Sequence, residues 1–156
     1  DVSFDLLDRL KKTDLLVWEK TNYAVDKDIR HVLNAYYRKC EPEVFTHVHK
    51  RAVSAYSEML SKAKDNLNLL TIEKLYHLSA LAQDDDDIDL KQEFSVNLGE
   101  YLIRIKDETF RLSTLEQLEN LLENDEDLKN LTYGLSVDDF VAQVQTLISR
   151  LTSVTA

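Results

Sequence analysis

Apolar residues recur along this chain at i, i+3, i+4 and i+7, the spacing of one face of an α-helix, and not at every second position as in a half-buried strand. Ile29, Val32, Leu33, Tyr36 and Cys40 form one stripe. Val44, Val48, Ala52, Ala55, Tyr56 and Met59 form the next, with Pro42 suited to its first turn, where the missing N–H costs nothing. Ile72, Leu75, Leu78 and Ala82 predict a third helix that begins after Thr71 and ends at the Asp84 to Asp87 run. Four adjacent carboxylates oppose the negative end of a helix dipole and favour the N-terminus that follows. Leu90, Phe94, Leu98, Tyr101, Leu102 and Ile105 then mark a fourth helix, within which Gly99 is expected to permit close packing. Ser113 with Glu116 spells a capping box for a fifth, on which Leu115, Leu118 and Leu122 align. Gly134 suits a C-terminal stop, and Ser136 with Asp139 a cap for a last helix carrying Phe140, Val144, Leu147, Ile148 and Leu151.

These six helices fall into three pairs, over residues 25–64, 71–108 and 113–152, in one all-helical domain of residues 1–156. Core positions recur at nearly fixed offsets. Ile29, Ile72 and Leu115 are 43 residues apart, as are Val32, Leu75 and Leu118. Val48, Phe94 and Phe140 are 46 apart, and so are Ala52, Leu98 and Val144, then Met59, Ile105 and Leu151. This period resembles that of helical-hairpin repeat domains of the HEAT and armadillo kind, an α-solenoid resemblance covering about residues 25–152. The expected fold is all-α, its antiparallel hairpins either stacked as a short solenoid or closed as a helical bundle. Residues 1–24 hold Phe4, Leu7 and Leu10, then Leu15 to Trp18, and read as short helices capping the open end of the array.

Composition agrees with this picture and narrows it. Two Gly and one Pro among 156 residues leave little material for tight hairpins or phosphate-cradling loops. With 44% hydrophobic and 31% charged residues the chain is expected to fold around a packed core. Cys40 is the single cysteine, which excludes an intrachain disulfide, and its place on an apolar stripe predicts a buried thiol. No apolar stretch approaches the ~20 residues of a membrane span, and no signal segment is visible, so an intracellular location is slightly favoured. The chain begins at Asp1 and not Met, as a processed product or a piece of a longer protein would.

Charge is unevenly spread. Residues 1–80 carry 13 Lys/Arg against 12 Asp/Glu, whereas residues 81–156 carry 6 against 17. The second half should repel nucleic acid and anionic membrane and attract a basic partner segment. Its candidate contact residues are Asp84, Asp85, Asp86, Asp87, Glu119, Glu123, Asp125, Glu126 and Asp127. Residues 30–64 run the other way, with Arg30, Arg38, Lys39, Lys50, Arg51, Lys62 and Lys64 interleaved with Tyr36, Tyr37, Phe45 and Tyr56. There cations would neutralise phosphates while exposed rings stack on bases, unless Tyr36 and Tyr56 belong to the core.

Specific chemistry is hard to find. His47 and His49 are two apart, so on one helix their side chains diverge by about 200° and do not share an ion. His31 and His77 have no carboxylate at ligand spacing, and the four histidines read as solvated or structural. The Asp84 to Asp89 segment alternates carboxylates like a calcium loop, but Leu90 stands where the sharp turn requires Gly and Val96 where the bidentate Glu belongs. No nucleophile elbow, nucleotide loop or C-x-x-C is present. No catalytic, cofactor or metal residue is therefore put forward. The leading expectation is a non-enzymatic protein-interaction or scaffold domain of undetermined oligomeric state. The alternatives are an RNA-binding helical repeat domain, and an enzyme or ligand carrier whose site lies between helices.

Overall fold

The structure, a computed structural model, describes residues 12–13, 16–19, 22–63, 66–131 and 137–154. It is an all-α fold with seven helices among those residues. Contacts divide the chain into two compact units, Asp1–Thr46 and His47–Ala156.

In the first unit, β1 (Leu16–Glu19) pairs antiparallel with β2 (Asn22–Val25), Trp18 opposite Tyr23. The short capping helices expected in residues 1–24 are thus replaced, over the described part, by this strand pair; residues 1–11, 14–15 and 20–21 lie outside it. β-Branched and aromatic residues crowd both segments, and such side chains favour the pleated backbone. Asp26 then caps α1 (Lys27–Cys40), its carboxylate accepting from the backbone N–H groups of Asp28 (3.0 Å) and Ile29 (3.4 Å). The apolar stripe of α1 is open to solvent: Val32 is 68% exposed, Tyr36 51%, and Cys40 is exposed, not buried as expected. α2 (Pro42–Lys62) begins at Pro42 as its sequence predicts.

The inward face of α2 differs from the expected one. Phe45 and His49 are buried, Tyr56 is half-buried, and Val53 and Leu60 pack on the core, whereas Val44, Val48 and Met59 are exposed. The expected stripe is displaced by one residue, about 100° of helix rotation, because His49 takes an inward place that an apolar count does not award it.

The rest of the second unit comprises α3 (Leu67–Ala82), α4 (Leu90–Arg104), α5 (Glu108–Asn124), the short α6 (Glu126–Leu131) and α7 (Val137–Val154). α3 starts at Leu67, one turn before the expected boundary. Thr71 looks like a cap, but its hydroxyl donates to the Leu67 carbonyl at 2.8 Å inside the helix. α5 likewise starts five residues before Ser113. Asp107 is the cap, accepting from the Phe110 N–H at 2.8 Å, and Ser113 is an interior residue. The Gly134 stop and the Ser136 cap fall outside the described residues. Gly99 faces solvent, with nothing within 4 Å of where a Cβ would stand, so the close packing expected of it is absent.

α3 packs on α4 and α5, and α7 packs on α5 and α4, so the four long helices close a ring. Lys91 meets Asp139 at 2.9 Å, and Ser95 meets Gln143 at 2.7 Å. Both pairs are 48 residues apart in sequence, so α4 and α7 run parallel. Two hairpins, α3–α4 and α5–α7, therefore lie side by side with equivalent helices adjacent. The 46-residue offset becomes a direct contact between Phe94 and Phe140, rings edge to face with centroids 5.0 Å apart. Phe94, Leu98, Phe140 and Val144 are almost wholly buried, with Leu102 and Ile148 packed against them. Leu75, Leu115, Leu118 and Leu122 belong to the same buried cluster. The repeat fails in the first pair, where Val32, Val48 and Met59 are exposed while their counterparts are buried or partly buried.

Candidate functional site

Two features of the second unit bear on function: its acidic end and a pair of histidines within it. The acidic end is built by capping chemistry. Asp89 caps α4 by accepting from the Gln92 N–H at 3.0 Å, and Asp125 accepts from the Leu128 N–H at 2.8 Å at the start of α6. Leu128 is completely buried, and α6 packs on α3, the helix that leads into Asp84 to Asp87. The contact of Lys91 with Asp139 joins the first turns of α4 and α7. Asp84 to Asp87, Asp89, Asp125 to Asp127, Asp138 and Asp139 thus gather at one end of the unit. Two lysines accompany them, and both already meet carboxylates: Lys91 meets Asp139, and Lys129 meets Glu126 at 3.2 Å. Glu119 and Glu123 sit along α5, and Glu119 accepts from Gln145 at 2.6 Å.

The basic residues divide differently. Arg30, Arg38 and Lys39 are on α1, Lys50, Arg51 and Lys62 are on α2, and Lys64 lies outside the described residues. Lys62 is bound to Glu58. Tyr36 and Tyr37 stand edge to face at 5.5 Å and are exposed, so Tyr36 is not the core residue its stripe implied.

The histidine pair has no counterpart among the candidates drawn from sequence. His49 of α2 and His77 of α3 approach Nδ1 to Nδ1 at 2.8 Å, one ring donating and the other accepting. Tyr56 stacks on His77 at 5.6 Å, and Tyr76 stands edge-on to it at 5.1 Å. Burial first, and then the Glu73 carboxylate, push the Tyr56 pKa up. Burial lowers the His49 pKa, while burial and then the neighbouring His49 lower that of His77 to about 4. Both rings are therefore neutral at pH 7. The two histidines are 28 residues apart, which hides the pair from any motif search. Its signal is positional: His49 continues the line Phe45, Val53, Leu60, now recognisable as the inward face of α2.

Between α3 and α5 lies a groove of about 640 Å³ whose walls include Asn66, Leu69, Phe110, Gln117 and Asn120. Its polar floor is internally paired. Tyr101 donates to Asn68 Oδ1 at 2.8 Å, and Asn68 Nδ2 donates to the Thr114 carbonyl at 3.1 Å. Among the described residues no three His, Cys, Asp or Glu side chains come together as metal ligands, and no helix is long and apolar enough to cross a membrane. No family model, curated protein or solved structure matches the chain.

Proposed function

We propose that this chain is a non-enzymatic protein-interaction domain that engages a basic segment of another protein through the acidic end of the α3–α7 bundle. The observation that carries this reading is the Lys91–Asp139 contact, which sets the starts of α4 and α7 side by side and so brings separate acidic stretches to one end. Carboxylates crowded there raise the local concentration of a cationic segment and speed its encounter. Affinity must come from contacts beyond charge, because exposed ion pairs are each worth only about 0–1 kcal/mol.

The test is a fluorescence titration of the chain with a labelled lysine- and arginine-rich peptide at several salt concentrations. Binding should weaken steeply with salt, and reversing Asp84 to Asp87 to lysine should slow association at least tenfold and flatten the salt dependence. An unchanged on-rate would sink the proposal. A second reading, RNA binding, draws support from the exposed Tyr36–Tyr37 pair beside Arg38 and Lys39 on α1. Single-stranded RNA as the probe in the same titration separates the two, since its binding would survive reversal at Asp84 to Asp87.

A further inference from the structure

We propose that His49 and His77 form an acid-released latch that holds α2 against α3. The geometry is that of a contact that holds only while a single proton lies between the two rings. At 2.8 Å the facing Nδ1 atoms need one proton between them. When both rings are protonated, each Nδ1 carries a hydrogen, donor faces donor, and the hydrogen bond becomes a repulsion between two cations. His49 is 4% exposed, so water does little to screen the added charge.

From α2 the pair is faced by Tyr56, and from α3 by Tyr76 and Glu73. The carboxylate of this group, Glu73, acts on the Tyr56 hydroxyl, and Lys74 is drawn to Asn97 of α4 at 2.6 Å. The Tyr56 hydroxyl, its pKa raised, carries no charge in the acidic range.

α2 is also the helix best placed to respond. It approaches α3 less closely than α3, α4, α5 and α7 approach their neighbours, and its last turn is held from α4 by Arg104, which donates to the Leu60 and Ser61 carbonyls. Its outer face, with Val48 and Met59, is already exposed, so opening uncovers chiefly Val53, Tyr56, Leu60 and the two imidazoles.

The sign follows from the lowered pKa values. Opened histidines bind protons from pH 6.5 downward, while the closed His77 resists until about pH 4, so the latch is intact above pH 6.5 and weakens across that window. His77 alone raises the open population by up to about tenfold per pH unit, and His49 adds to the same direction. The chain as a whole responds oppositely. Its net charge of −10 shrinks toward zero as the pH falls to its pI of about 4.8, which relaxes self-repulsion. Acid loosening confined to α2 is therefore distinguishable from general acid unfolding.

The experiment is native-state hydrogen exchange on the full chain between pH 7 and 5, corrected for intrinsic rates, in wild type and in the double variant His49→Phe/His77→Phe. Phenylalanine keeps a ring at each position and removes the titration. In wild type, protection of α2 amides from Lys50 to Leu60 should fall at least tenfold, with α5 and α7 changing less. In the double variant the fall should shrink to under about threefold. Equal falls in both proteins, or α2 protection independent of pH in wild type, would overturn the latch. Imidazole proton NMR on wild type supplies a readout independent of the variant: His77 should titrate well below 6.5, and titration at its ordinary value overturns the proposal as well.

Discussion

Gly99 lies on the exposed side of α4, and a β-carbon built there meets nothing within 4 Å. An interior helix glycine without a packing partner only loosens the helix, because it has more backbone freedom to lose than alanine. Gly99→Ala should therefore stabilise the protein by about 1 kcal/mol, read as a shift of the urea midpoint at unchanged slope. Destabilisation would mean that α4 approaches another surface at this point. A sequence shows that a glycine is in a helix but not what stands opposite it. Cys40 and Tyr36 carry the same lesson: both lie on an apolar stripe and both are exposed. For Phe94, Leu98, Leu118 and Phe140 the stripe was sufficient, since each of those helices has a partner on that side.

Where a helix starts is decided by which oxygen captures the free N–H groups of its first turn. At α5, Ser113 with Glu116 has the pattern of a capping box, but Asp107 takes the position. An aspartate there also places its charge at the positive end of the helix dipole, and Glu108 in the first turn adds to it. Asp107→Ala should cost about 1 kcal/mol in urea denaturation, whereas Ser113→Ala should cost nothing measurable and gain a few tenths from helix propensity. The reverse ranking would restore the start at Ser113. At α3 the polar residues Asn68 and Thr71 disguised a helical turn as a linker. Asn68 is buried because Tyr101 and the Thr114 carbonyl satisfy its amide, partners 33 and 46 residues away that no local pattern displays. The same distance effect hid His49 and His77, whereas the acidic stretches were legible at once because charge needs no partner to be seen.

Across the second unit, the 46-residue offset has a physical basis: equivalent helices of two hairpins lie parallel, and residues one period apart touch. The four long helices of this unit close a ring, as in a helical bundle. The offset was legible because it follows volume and hydrophobicity, which both helix pairs need where they meet. Its failure at Val48 and Met59 was not, because apolar residues on a surface look the same in a sequence as apolar residues in a core. The Phe94–Phe140 contact tests whether the two hairpins form one cooperative body. Phe140 is completely buried, and truncating it removes both its own packing and the edge-to-face partner of Phe94. Phe140→Ala should cost about 3–5 kcal/mol in urea denaturation. If the hairpins stand or fall together, hydrogen exchange should show α4 and α7 losing protection by the same factor, because both reach solvent through one unfolding event. Loss confined to α7, with α3 and α4 still protected, would mean that the α3–α4 hairpin holds its own core and that the bundle is two bodies joined along a seam.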